Sequence, residues 1–223
     1  ILMEPDSGFI LAEQQEEKRD AATWMKVSQA ATNGMNVKIV QVTGDEASGI
    51  IKYTKELLGA SKSSDLFHVQ LDITRGLMSV LARRVQQAEK ALSDSTAMKK
   101  EKFKKLAEAV QATGSSLDNP TPQVAKIGKQ LLEEDSQEKK CQATLEEAKQ
   151  DYQTARDARR AITTYYHPYD LSTGNARSPE QLRKELKGSH EILEGVSERI
   201  DSTDGHRKKL GKAKSAIEPM VQT

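Results

Sequence analysis

Apolar residues recur along this chain with two periods, and the change from one to the other divides it. Up to about residue 70 the apolar runs are short. Residues 1–3 and 8–11 flank Glu4-Pro5-Asp6-Ser7-Gly8, whose Pro, Asp, Ser and Gly are turn formers, so a β-hairpin is predicted there. A helix is predicted from Asp20, an N-cap, to Asn33, with Ala21, Trp24, Met25, Val27 and Ala31 as apolar positions and Gly34 ending it. Val37, Ile39, Val40 and Val42 are β-branched and fit a strand over 37–42 that runs out at Gly44-Asp45. A helix over 47–58 follows, stopped by Gly59, and Asp65-Leu66-Phe67-His68-Val69 reads as a further short strand over 65–69. The order strand, strand, helix, strand, helix, strand implies a mixed sheet with helices over it, and a right-handed crossover makes 37–42 and 65–69 parallel neighbours.

From Leu71 the period becomes helical. Leu77, Val80, Leu81, Val85, Ala88 and Leu92 recur at three- and four-residue intervals, and Phe103, Leu106, Ala107 and Val110 continue the pattern. Gly114-Ser115-Ser116-Leu117-Asp118-Asn119-Pro120-Thr121-Pro122 is a loop. A long helix follows over 124–165, with a near-heptad seam of Cys141, Leu145, Ala148, Tyr152, Ala155 and Ile162. Its small residues suit a close antiparallel hairpin within the chain as well as they suit a dimer. Tyr165 to Gly174 is an aromatic, Pro-containing loop. Pro179 after Ser178 starts another helix, carrying Leu182, Leu186, Ile192, Leu193, Val196 and Ile200, and a basic helix over 206–217 closes the chain. The reading is therefore a mixed α/β part over 1–70 and an all-helical part over 71–223.

Composition narrows the function classes. Charged residues make up 30% of the 223 and aromatics 4%, which suits long solvated helices better than a β-sandwich. With 34 basic and 33 acidic residues the net charge is +1, so any contact with nucleic acid must come from local patches. The single cysteine, Cys141, excludes an internal disulfide and a cysteine-based zinc site, and a reducing, cytoplasmic setting is expected. No run reaches the ~20 apolar residues of a membrane span. The start at Ile1 reads as a cut within a longer protein.

The candidate chemistry is carboxylate chemistry. Asp45 ends a predicted strand with a helix packing back behind it, which is how an α/β sheet presents an acid at its edge; it also suits a plain helix cap. Glu4 on the first hairpin would lie beside it at one sheet edge. Two such carboxylates suit Mg²⁺ or Mn²⁺, which take oxygen ligands, although two unrelated surface acids explain them equally simply. His68 reads as a hydrogen-bonded core or edge histidine, Asp65 as closing a turn, and His167 as packing in the tyrosine loop. There is no nucleophile-elbow motif and no phosphate-cradling glycine loop. Lys99, Lys100, Lys102, Lys104 and Lys105, and Arg207, Lys208, Lys209, Lys212 and Lys214, are clusters able to track a phosphate backbone or to serve only as solvated helix faces.

Four blocks carry a resemblance: Leu2-Met3-Glu4-Pro5-Asp6-Ser7-Gly8-Phe9-Ile10-Leu11-Ala12-Glu13-Gln14, Arg19-Asp20-Ala21-Ala22-Thr23-Trp24, Val42-Thr43-Gly44-Asp45-Glu46-Ala47-Ser48-Gly49 and Ser64-Asp65-Leu66-Phe67-His68-Val69-Gln70. In order and spacing they resemble the catalytic core of bacterial insertion-sequence transposases of the DDE, RNase H-like kind. The Tyr166-His167-Pro168-Tyr169-Asp170-Leu171 loop and Lys212-Ala213 look like the later part of such proteins. The resemblance implies an RNase H-like mixed sheet with flanking helices, followed by a long all-α insertion of antiparallel helices. It implies two-metal DNA strand cleavage and transfer, with Glu4 as first and Asp45 as second ligand of Mg²⁺ or Mn²⁺. Transposon-end and target DNA would be the partner, held through Lys99, Lys100, Lys104, Lys105, Arg207, Lys208 and Lys209, with self-association through the helices. The first acid is usually Asp in such enzymes, which leaves Asp6 as a rival to Glu4. No third acid matches within the chain, so the fragment is expected to be inactive alone. The alternative is a non-enzymatic helical interaction or dimerisation module.

Overall fold

The structure is a computed structural model and describes residues 1–3, 9–45, 47–114, 119–167, 169–170 and 172–217. Helices dominate, and the chain divides into two units, Ile1–Leu77 with Ala158–Thr223, and Met78–Asp157.

In the first unit, β1 (Leu2–Met3) pairs antiparallel with β2 (Ile10–Ala12), Leu2 opposite Ala12 and Met3 opposite Ile10, as the hairpin pattern predicts. The tip carrying Glu4 and Asp6 lies outside the described residues. Helix α1 (Ala21–Thr32) starts where Asp20 accepts a hydrogen bond from Thr23 N at 2.9 Å, and Gly34 takes the left-handed conformation just past its end. Helix α2 (Ser48–Lys52) continues as a π-helical turn over Tyr53–Leu58, closed by left-handed Gly59. Tyr53 is buried, and its ring lies 6.4 Å from that of Trp24 on α1.

Two expected strands are corrected. The strand predicted over 37–42 is instead β3 (Gln41–Gly44), with Val37 and Val40 well exposed. Its partner is not 65–69 but β4 (Ser61–Ser64), parallel to β3 with Gln41 opposite Ser61 and Gly44 opposite Ser64. The parallel relation holds; the segment differs. Ser-Lys-Ser-Ser has no strand-like pattern, because a ladder is made by backbone groups and here Lys62, Ser63 and Ser64 are buried by what surrounds them. Residues 65–69 are helical for an equally physical reason. Asp65 caps α3 (Leu66–Ile73), its Oδ1 accepting from Phe67 N at 2.9 Å, and Val69, Ile73 and Leu77, spaced four apart, form a buried stripe. A segment this short, with Leu66, Phe67 and Val69 as its apolar residues, fits either period, and the stripe beyond it decides. Among the described residues the single mixed sheet expected over 1–70 is not formed: the two strand pairs are separate two-stranded sheets, so the hairpin that carries Glu4 is not part of the sheet that ends at Asp45.

Helices α6 (Pro179–Arg199) and α7 (Asp204–Ile217) complete this unit. Ser178 caps α6 through Gln181 N at 3.1 Å, as its position before Pro179 predicts. α7 packs on α3, on α6 and on β4, burying Leu210, Ala213, Ala216 and Ile217. The crossing is tight at Gly76, where an added Cβ would lie 3.0 Å from His206 O and 3.1 Å from Leu210 N.

The second unit is an antiparallel pair formed by α4 (Ser79–Thr113) and the first part of α5 (Pro122–Tyr165). Ala88, Leu145 and Ala148 form its buried seam, with Val85 and Leu92 against them. Polar clamps repeat along it: Arg84 with Asp151 at 4.0 Å, Thr96 with Glu138 at 2.7 Å, Lys99 with Asp135 at 2.5 Å, Lys102 with Gln130 at 3.0 Å. As the numbering rises on one helix it falls on the other almost step for step, so the seam expected from the heptad pattern is an intrachain hairpin. Among the described residues, no helix is long and apolar enough to cross a membrane.

Candidate carboxylate site at the ends of the parallel strands

Parallel pairing brings two aspartates to one end of one sheet. Asp45 directly follows β3, Asp65 directly follows β4, and the ladder extends one step further as Asp65 N donates to Gly44 O at 3.0 Å. The carboxyl ends of parallel strands are where α/β sheets place their chemistry, because helices there start rather than end.

Asp45 has its two oxygens in different surroundings. Oδ1 accepts from Ala47 N at 3.0 Å, turning the chain into α2, and Oδ2 lies 3.9 Å from the Arg19 guanidinium. The N-cap of α2 is Ala47, so Asp45 does not cap that helix as its simple reading had it; its Oδ1 holds the amide of the cap residue, while the other oxygen faces a cation. Arg19 is in reach because Gly49 has no side chain: a Cβ there would fall within contact distance of Arg19 O and 3.2 Å from Asp20 Cα. The backbone entering α1 therefore lies directly on α2. Arg19 is 76% exposed at its side chain, so its attraction for Asp45 is weak and its donors remain available.

Asp65 is also divided. Oδ1 caps α3, and Oδ2 lies 3.3 Å from His68 Nδ1. His68 thus sits on a helix beside an acid, half exposed, instead of on an apolar strand. The Ser64 carbonyl accepts a hydrogen bond from the buried Tyr166 hydroxyl, which ties the tyrosine loop to the end of β4.

That loop has its own organiser. The Arg177 side chain is 6% exposed, and its Nη1 donates to Thr164 O, His167 O and Tyr169 O at 2.8–3.1 Å. Its Nη2 donates to Asp170 at 3.1 Å, and its guanidinium stacks 5.0 Å from the Tyr165 ring centre. The Asp170 carboxyl is held well below its usual range, first by Ser172 Oγ and Ser172 N, then by Thr173 N and Arg177. Sequence reasoning marked the aromatic loop but missed Arg177; the signal was a lone arginine closing a run of turn-forming residues.

Glu4, expected beside Asp45, lies outside the described residues, as does its rival Asp6. Among the described residues no group of three or more His, Cys, Asp or Glu is placed to hold a metal ion. Of the expected ligands the described residues include only Asp45, and Mg²⁺ in general is held by one or two carboxylates plus substrate phosphates.

The expected DNA-contacting cations fall into two kinds. Lys99 is committed to the hairpin, clamped by Asp135 and Glu138, and its ammonium is held above the usual range by those hydrogen bonds. Lys105 lies 2.5 Å from Glu101, Lys104 lies 3.9 Å from Glu108, and Arg207 lies 2.8 Å from Asp201. Lys100 and Lys208 are exposed and Lys209 partly so, with no carboxylate of the described residues in ion-pair reach. Comparison with protein-family models, curated proteins and solved structures finds no match to this chain.

Proposed function

We propose that this chain is part of the catalytic core of a DNA transposase of the RNase H-like kind, acting on phosphodiesters with divalent metal. The observation that carries the reading is Asp45 at the carboxyl end of β3, beside the end of a parallel β4, with one carboxylate oxygen free of backbone hydrogen bonds. The element order supports it: an antiparallel hairpin, a helix, a strand, a helix and a parallel strand, followed by a long helical hairpin before the chain returns to the first unit.

In this reading Mg²⁺ or Mn²⁺, when bound, would stabilise the attacking and leaving oxygens of an in-line displacement. The chain's own residues have separate tasks. The Ala47 amide keeps Asp45 in one rotamer, so its other oxygen is presented without an ordering cost at binding. Arg19 screens Asp45 and can exchange it for a phosphate oxygen, a bidentate partner of better geometry than a carboxylate 3.9 Å away. Glu4 supplies the first acid. Lys100, Lys208 and Lys209 supply sequence-independent backbone contacts. A third acid is not identified in this chain.

The test is calorimetric titration of Mn²⁺ into the full chain. Binding that weakens in both Asp45→Asn and Glu4→Gln is the expected result; equal affinity in parent and both variants would overturn the metal reading. The interaction-module alternative has one observation in its favour, the exposed Met98, Phe103 and Leu132 on the α4–α5 hairpin. Sedimentation would support it if Phe103→Ser with Leu132→Ser converted a dimer to a monomer.

A further inference from the structure

A cavity of about 290 Å³ opens where the segment after β2 passes over α1, and Arg19 forms its wall toward Asp45. Its size is at the lower end for a small-ligand site, roughly 300–1,000 Å³. Its lining is chemically mixed in a specific way. Trp24 supplies an aromatic wall among apolar neighbours, Gln15 supplies a side-chain amide, and Lys18 and Arg19 supply two cations. Glu16 also lines it, but its carboxylate is already engaged, accepting from Gln14 Nε2 at 2.6 Å and lying 3.7 Å from Lys26. The Trp24 ring lies 6.4 Å from that of the buried Tyr53 and is tilted 33° to it.

An aromatic plane, an amide that both donates and accepts, and two cations suit a nucleotide. The plane stacks a base, the amide meets the base edge, and the cations meet its phosphate. We infer that this cavity receives one unstacked nucleotide of a DNA single strand, with Arg19 holding the phosphate that leads toward Asp45. The inference deepens the proposed function and rests on it for the identity of the strand. It adds that the protein grips DNA one nucleotide away from the candidate acid by stacking. Arg19 then joins the two sites: when it turns to a phosphate, it leaves Asp45 uncovered. Duplex DNA keeps its bases stacked on each other, so the cavity prefers single-stranded or frayed ends.

Trp24 is the one tryptophan of the chain, which makes its fluorescence a direct reporter. The full chain is titrated with a short oligothymidylate in the presence of a chelator, so that no metal site contributes. Strong quenching is expected, with a much weaker effect from a blunt duplex of the same length. In Lys18→Gln and in Arg19→Gln the slope of log affinity against log salt should shrink by about 0.7 each, the value for one phosphate contact on a single strand. The chelator removes metal from this measurement, which separates it from the Mn²⁺ titration: either test can fail while the other succeeds. Absence of quenching by the oligonucleotide overturns the inference. So does quenching with an unchanged salt slope in both variants, or affinity for free thymidine monophosphate equal to that for the strand.

Discussion

Gly49→Ala is the most exacting perturbation of the architecture around Asp45. By local propensity it should help. Gly49 is in α2, and Ala is favoured over Gly in a helix by about 1 kcal/mol in an interior position, less in a first turn. By tertiary contact it should harm. The new methyl meets the Arg19 carbonyl, with the Arg19 carbonyl carbon and Asp20 Cα both at 3.2 Å. These are backbone atoms, so no side chain can rotate away, and relief requires moving the segment that enters α1. Overpacking of this kind costs about 1–3 kcal/mol. The net expectation is a loss of about 2 kcal/mol. With a urea slope of about 1–3 kcal/mol/M for a unit this size, the midpoint falls by roughly 1 M. Trp24 fluorescence reads the transition, since its helix is the one displaced. The control is Gly211→Ala on α7, where an added Cβ meets nothing within 4 Å, and which should raise stability by about 1 kcal/mol. A Gly49→Ala midpoint at or above that of the parent would refute the close approach and the placement of Arg19 that depends on it.

Arg177→Lys should cost about 2–3 kcal/mol in thermal or urea unfolding, because an ammonium cannot span three carbonyls and a carboxylate at once; amides of 165–177 should lose protection from hydrogen exchange in the same variant. Tyr166→Phe deletes the buried hydrogen bond to Ser64 O and should cost about 1 kcal/mol by urea unfolding, with no change of secondary structure by circular dichroism. The Asp135 carboxyl is held down to about 2 from an ordinary 3.8, first by Lys139 and then by Lys99. A carboxylate depressed in the folded state contributes above its unfolded pKa, so its support of the hairpin is full above about pH 4 and disappears as pH falls through about 2. Carboxyl NMR titration should show the midpoint near 2 in the parent and moving back toward 3.8 when Lys139 and Lys99 are both replaced by Met.

The legible parts of this chain were those written in local chemistry. Asp20 and Ser178 cap their helices through their own oxygens, and Gly34, Gly59 and Gly114 stop helices by adopting positive φ, all within a few residues of sequence. The heptad seam with Ala88, Leu145 and Ala148 likewise specified a close helix pair, although only the polar clamps from Arg84 to Lys102 showed that the partner is in the same chain. The candidate acid was partly legible: the glycine-aspartate end of a β-branched run located Asp45 at a strand end, but its expected capping of α2 falls to Ala47, and nothing local pointed to Arg19.

What the sequence by itself determined, then, is most of the helices, several of their caps and their period, because each follows from a residue's own conformational preference or from neighbours within one turn. Tertiary structure alone decided the rest. It made a strand of Ser61–Ser64, since a backbone ladder needs no side-chain pattern once burial leaves its groups no water. It made a helix of residues 66–73, since the stripe of Val69, Ile73 and Leu77 outweighed the short apolar segment over 65–69. It committed Lys99 to Asp135 and Glu138, and it laid Arg19 against Asp45 through the missing side chain of Gly49, a contact between segments thirty residues apart that no local signal encodes.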